Sequence, residues 1–244
     1  MTQNRSSAVM QQRHVAPDAL DDFPTAPWAT RAVCEFIKAT CSPGPMATAE
    51  DPAVNRGYMA RVLAEYFGEV TGADCHDYGA GYPVRDFLFG KLPAQRNWRI
   101  SNPPFRLAEA FIKRALACSD NVAMLVRAAF LEGTARHKGL FAETPPTDIL
   151  FFSERVVMWQ GVLLDPDVPV TTWNEKKGVF ETRKPSTATA YCWCLWRAGQ
   201  RGEKRYDFIP PGTRARLTRP GDYPPLPEHL RPREGGLFEG AINV

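Results

Sequence analysis

The residues best suited to chemistry begin with Asn102-Pro103-Pro104-Phe105, inside the stretch "SNPPF". The two prolines fix φ and remove two backbone N–H donors, leaving stiff backbone with carbonyls as acceptors. The Asn102 side chain adds another acceptor. Two acceptors held rigidly side by side suit an exocyclic –NH2 group, and Phe105 supplies a flat face for a heteroaromatic ring. The nitrogen of such a ring-conjugated amine is a poor nucleophile. Holding it and orienting it toward an electrophilic methyl group is the catalytic problem such a site answers. The same four residues also suit a rigid turn between a strand and a helix, where proline is common in the first turn.

A second cluster is "DPAVNRG", Asp51 to Gly57. Between a strand and a helix, such a turn lets backbone approach a ligand, and Asn55 and Gly57 tolerate unusual backbone angles. Asp74 follows Gly57 by 17 residues, a spacing similar to that of an acid gripping ribose hydroxyls. Asp86-Phe87 lies between Asp74 and SNPPF and is expected at another strand end. Ordinary loop residues would explain these positions equally well.

Elements must exist to bring these clusters together. Ala29, Ala32, Val33, Phe36 and Ile37 fall on one helical face, and "CSPGP" ends that helix. Residues 46–51 read as a short strand and 52–57 as a turn. From Met59 the helical spacing returns, and 69–75 form a second strand, completing a strand–turn–helix–strand unit of a parallel sheet. Residues 98–101 are a further strand, followed by a helix with Ala108, Phe111, Ile112, Ala115 and Leu116 on one face. "NVAMLVR" (121–127) has the near-continuous apolar character of a strand covered on both faces. "DILFF" (148–152) and "TATAYCWCLW" (187–196) complete the strand candidates. The pattern is α/β, a doubly wound sheet. In such sheets ligands bind beyond the carboxyl ends of the strands, near the reversal of strand order.

The chain has 244 residues, 44% hydrophobic and 23% charged, with net charge +3. That suits one domain with a full core and permits a nucleic-acid partner without demanding one. No apolar run reaches a membrane span, and residues 1–18 lack a signal-peptide segment, so no membrane association and a cytoplasmic location are expected. The six cysteines include no CxxC pair, so no metal is expected. Cys192 and Cys194 alternate along a strand and are read as buried thiols. Residues 1–22 are read as a flexible arm, 23–225 as the single domain and 226–244 as a tail.

"SNPPF" resembles the catalytic motif of the amino-methyltransferases that use S-adenosylmethionine, most closely the DNA adenine-N6 methyltransferases. Other blocks follow in the order of that family's gamma group: "FPTAPWATR" (23–31), "EDPAVNRGYMARVL" (50–63), "GADCHDYG" (72–79), "VRDFL" (84–88), "LVRAAFLEG" (125–133) and "LFFSERVVM" (150–158), the last two resembling phage and prophage enzymes. The resemblance covers roughly 23–225 and implies a Rossmann-like class I methyltransferase fold, mostly parallel with helices on both faces. It implies that Thr25 and Trp28 contact the cofactor's methionine end, and that Asp51, Asn55 and Gly57 lie in or against the cofactor loop. Asp74, with Cys75 beside it, would hold the ribose hydroxyls. Asp86 would accept from the adenine amine, and Phe87 would lie next to it. Asn102 and the Pro103 carbonyl would hold the target N6 amine, Pro104 would stiffen the motif, and Phe105 would stack the target base. The family's loop follows P-A-x-G-x-G, and Asn55 stands at its first glycine. Asn is the non-glycine residue that best tolerates a left-handed backbone.

The implied partner is duplex DNA with the target base flipped out, bound by a monomer or weak dimer. The cations that could flank the site are Arg96, Arg99 and Arg106; Lys176, Lys177, Arg183 and Lys184; and Arg197, Arg201, Lys204, Arg205, Arg214, Arg216 and Arg219. Residues 159–186, with Trp159, Trp173 and Phe180, are either a target-recognition insertion or a long surface hairpin. The alternatives for the activity are the same chemistry on RNA or a protein glutamine, and a non-catalytic nucleic-acid-binding relative with a weakened cofactor loop.

Overall fold

The computed structural model describes residues 20–200 and 204–232. Helix α1 (Pro27–Cys41) opens with proline in its first turn and ends at Ser42, whose φ is +44°. Strand β1 (Thr48–Asp51) leads through the 52–57 turn into α2 (Tyr58–Leu63) and β2 (Glu69–Gly72). Strand β3 (Arg96–Ser101), helix α3 (Ala108–Ala117) and strand β4 (Ser119–Arg127) follow. The rest comprises β5 (Asp148–Phe152), β6 (Val170–Asn174), β7 (Val179–Arg183), β8 (Tyr191–Trp196), β9 (Arg205–Ile209) and α4 (Thr213–Leu217).

Seven strands form one sheet in the order β2-β1-β3-β4-β8-β5-β9, and β6-β7 form a separate hairpin. All main-sheet pairs are parallel except those of β8, which runs antiparallel between β4 and β5. The period-two alternation of strand side chains divides the core. Ala123 and Leu125 of β4, with Tyr191, Trp193 and Leu195 of β8, pack under α1, α2 and α4. Val122, Met124 and Val126, with Cys192, Cys194 and Trp196, pack on α3. The Trp193 indole also donates to the Ala29 carbonyl at 3.0 Å, fixing α1 over the sheet centre. Cys192 and Cys194 are free, buried thiols.

Three stretches bear on the expected boundaries. Residues 20–22, assigned to the flexible arm, pack on the protein: Asp21 accepts the Phe105 N–H and Asp22 accepts from Asn55 and Arg56, while residues 1–19 lie outside the described part. The tail starting at 226 is docked at first, with Leu226 and Leu230 against Leu164 and Val170. Residues 159–186 hold the two-stranded hairpin, with Trp173 and Phe180 paired at 5.0 Å on its surface. No helix among the described residues is long and apolar enough to cross a membrane.

Candidate active site

Parallel pairing places the carboxyl ends of β1, β2 and β3 along one edge, with Asp51 opposite Gly72 and Glu50 opposite Arg99. The chain passes from β1 outward to β2 and returns on the other side as β3, so strand order reverses between β1 and β3. The crevice expected at that point is present. It is a cleft enclosing about 860 Å³, open mouth included, and its walls bring together Thr25, Asp51, Asn55, Asp74, Cys75, Asp86, Phe87, Asn102 and Pro104.

The turn after β1 has the conformation its sequence allows. Asn55 is left-handed at φ +52° and Gly57 at +77°. The Asn55 N–H donates to Asp74 Oδ2 at 2.9 Å, and the His76 N–H to Asp74 Oδ1 at 3.2 Å. Each carboxylate oxygen keeps a lone pair for hydroxyl donors. Asp51 is buried; Ser101 Oγ donates to its Oδ1 at 2.7 Å and the Ala53 N–H at 3.2 Å. Burial pushes its carboxyl up to about 7, against those two bonds and with help from the charges of Asp74 and Glu50. A single parallel bridge, Asp74 to Val84, lays residues 83–86 beside β2. Arg85 there pairs with Glu50, itself paired with buried Arg99 at 2.6 Å, and so holds Asp86 at the cleft edge. Phe87 turns inward against Phe111, ring centroids 5.1 Å apart.

At the β3 end, Asn102 Nδ2 donates to the Phe23 carbonyl at 2.9 Å, which fixes the amide's orientation. Its Oδ1 is buried and has no partner among the described residues. A buried acceptor left open costs roughly 1–3 kcal/mol, so this atom is arranged for a donor from outside the protein. Asp21, which the sequence reading missed, accepts the Phe105 N–H and lines the same cleft. Burial raises its carboxyl above the usual range, against that bond and the charges of Arg127 and Arg106.

Four of the expected site residues do not line the cleft. Trp28 is 1% exposed and lies in the core edge-on to Phe152, because its helical position faces the sheet. Gly57 serves the turn: a Cβ there would come within 2.5 Å of the Tyr82 ring. Pro103 is buried beneath the motif. Phe105 is half-buried against Phe23 and Tyr191, and the Arg127 guanidinium stands 3.8 Å above its ring. The face expected to be bare for stacking is therefore already covered. The cations are also placed otherwise. Arg99 is fully buried on Glu50, Arg197 is buried on Asp148, and Arg96 pairs with Glu69 where β3 begins, far from the cleft. Arg205, Arg214, Arg216 and Arg219 are all ion-paired, and Arg201 lies outside the described residues.

Among the described residues the lining includes four carboxylates, Asp21, Asp51, Asp74 and Asp86, and no Lys, Arg or His. Such a cleft repels phosphate and attracts a cation. Among the described residues no group of His, Cys, Asp and Glu is placed to hold a metal ion.

Gly57→Ala should destabilise the protein by about 1–2 kcal/mol, the cost of a left-handed alanine, while pushing the Tyr82 ring aside. Urea unfolding measures this; an unshifted midpoint would mean the turn relaxes freely.

No family model and no curated protein matches the sequence. Solved structures match in shape. A protein from Listeria monocytogenes assigned to the class I S-adenosylmethionine-dependent methyltransferases aligns with a TM-score of 0.54 at 12% identity, over 86% of this chain and 73% of its own. The methyltransferase subunit of a type I restriction-modification system from Streptococcus thermophilus aligns at 0.48 with 11% identity. That alignment covers 76% of this chain and 47% of the subunit, so the chain spans about half the subunit's length. At such identities the likeness is one of fold. The sheet, parallel but for β8 and covered by helices on both faces, is the Rossmann-like methyltransferase fold.

Proposed function

We propose that the protein is an S-adenosylmethionine-dependent amino-methyltransferase whose substrate is the N6 amine of adenine in DNA. The observation that carries this reading is the buried Asn102 Oδ1, without a partner among the described residues, on a residue of a cleft whose charged lining residues are all carboxylates. The residues present fit the cofactor: its sulfonium and ammonium outweigh its one carboxylate, so it is a net cation, as the cleft's charge requires, and it carries no phosphate. When bound, it supplies an electrophilic methyl group.

The chain's own residues do the rest. Asp74 offers its remaining lone pairs to hydroxyls. Asp86, at the cleft edge, is free to accept from an amine beyond the Leu88 N–H it already receives at 2.8 Å. Thr25 and Asp51 close the floor of the cleft. Asn102 Oδ1 accepts from the target amine and holds it in plane. The base would reach it by leaving its duplex, since the amine of a paired, stacked base is not accessible to a residue of a cleft wall.

A second reading, methylation of a protein glutamine amide, is favoured by the ion pairs that engage Arg197, Arg214, Arg216 and Arg219, four of the cations expected at the DNA surface. One experiment addresses both. Calorimetry with S-adenosylmethionine should show binding, and transfer of labelled methyl should mark duplex DNA at adenine. Label on protein instead would select the second reading. No binding at millimolar cofactor would refute both.

A further inference from the structure

Asn55 stands where the resemblance expects glycine, and the structure gives its side chain partners that glycine could not have. Its Nδ2 donates to Asp22 Oδ1 at 2.8 Å. Its Oδ1 accepts the Arg56 N–H at 2.8 Å and Arg56 Nη1 at 3.1 Å. Arg56 in turn closes a bidentate pair on Asp22, at 2.8 and 3.0 Å. Asp22 is thus gripped by two consecutive residues of the turn after β1, and one of them orients the other. The glycine's usual task, a left-handed backbone, Asn55 performs as well, at φ +52°.

Asp22 is the middle residue of a strap. On one side of it, Asp21 accepts the Phe105 N–H. On the other, the Phe23 carbonyl accepts Asn102 Nδ2 at 2.9 Å. The Asp22 carbonyl also accepts the Gly161 N–H at 2.8 Å, which backs the strap from the loop after β5. Three consecutive residues therefore join the β1 turn to both ends of the Asn-Pro-Pro-Phe motif. Phe23 is the group that decides which way the Asn102 amide faces. An amide turned over would present –NH2 to the cleft, a donor where an acceptor is required.

We propose that Asn55 and Asp22 are positioning residues: their contact ties the turn that lines one wall of the cleft to the strap that aims Asn102 Oδ1. This rests on the functional reading above in assigning Asn102 its task, but the contact is tested without it. On this account the asparagine is a second fastening, not a worn glycine.

Amide hydrogen exchange reads the strap directly. Pro103 and Pro104 carry no N–H, so a peptide across 103–107 reports Phe105 with only two neighbours. In Asn55→Gly and in Asp22→Ala, exchange at Phe105 should quicken about tenfold, the loss of roughly one net hydrogen bond. The double variant should be no faster than Asp22→Ala alone. Leu125, buried in β4, serves as the control for global unfolding. If it too quickens, Asn55→Asp, which keeps the bonds from Arg56 but faces Asp22 with an acceptor in place of the donor, reads the same contact, and unchanged Phe105 protection there overturns the proposal. Unchanged protection in Asn55→Gly overturns it as well.

Kinetics provide the second readout. Asn55→Gly should lower kcat by about tenfold while cofactor Kd moves by less. Faster turnover with tighter cofactor binding would show that Asn55 merely substitutes for glycine. If the native protein neither binds cofactor nor transfers methyl, the functional reading fails, and the exchange result still decides the strap.

Discussion

Replacing Asn102 with alanine should lower methyl transfer about 10²–10³-fold, with cofactor binding kept to within a few-fold. The side chain supplies one preorganised acceptor, and removing a single such group from a dry site typically costs that much. Alanine also frees the Phe23 carbonyl and removes the buried orphan Oδ1, so stability should not suffer in proportion. Asn102→Asp separates acceptor from donor: it keeps an oxygen acceptor but, once ionised, cannot donate to Phe23. It should be impaired less than alanine at low pH and more as its own charge develops beside Asp21 and Asp51. Single-turnover transfer of labelled methyl, with calorimetry on S-adenosylhomocysteine, measures both quantities. Transfer within threefold of the native rate in Asn102→Ala would remove this residue from the catalytic centre.

The second large effect concerns Asp51. Its carboxyl titrates near 7 in the folded protein against 3.8 as its ordinary value, because burial disfavours the charge. The folded state therefore binds the proton more tightly than the unfolded state. The stabilisation this gives is present in full below about 3.8 and is lost as pH rises through about 7. The shift of about three units corresponds to roughly 4 kcal/mol. Asp51→Asn keeps an Oδ1 for Ser101 and Ala53 and removes the charge. Its stability, measured against the native protein in the absence of cofactor, should gain steadily between pH 4 and 7 and level off above. Cofactor binding should show the opposite sign. A cationic ligand gains affinity as Asp51 ionises, so native Kd should tighten across pH 7, and that tightening should vanish in Asp51→Asn. Parallel stability curves for the two proteins would place the Asp51 titration elsewhere.

Much of the frame was legible because buried strands and amphipathic helices leave periodic traces. "DILFF" is β5 to the residue, and the Ala29–Ile37 face is the buried face of α1. Strand β9 escaped notice since four of its five residues are exposed, so no apolar run marks it. The site acids were legible because they cluster at strand ends, which local pattern locates. What lay beyond reach were pairings across long separations. Arg99 reads as a surface cation until Glu50 is seen beside it, and Arg197 until Asp148 is. Trp28 reads equally as wall or core, and the helix orientation decides for core. The strap was hidden for a similar reason. Its key acceptor is a backbone carbonyl, at Phe23, which every residue type possesses and no motif can flag. The acidic pair Asp21-Asp22 directly before "FPTAP" was the available clue.

Strand β8 sets an order of events on the ribosome. It occupies the middle of the sheet, every residue buried, yet the cell makes it after β5, and β5 and β9 join the sheet through it. Until Tyr191–Trp196 emerges, β4 presents a long apolar edge and β5 has no neighbour on either side. The nascent chain must carry the cleft residues through SNPPF, fully synthesised, on a half-built sheet while that keystone is translated. Long-range closures of this kind are slow and leave strand edges open to wrong partners. A truncation before residue 191 should therefore aggregate, though all the residues assigned to catalysis precede the cut.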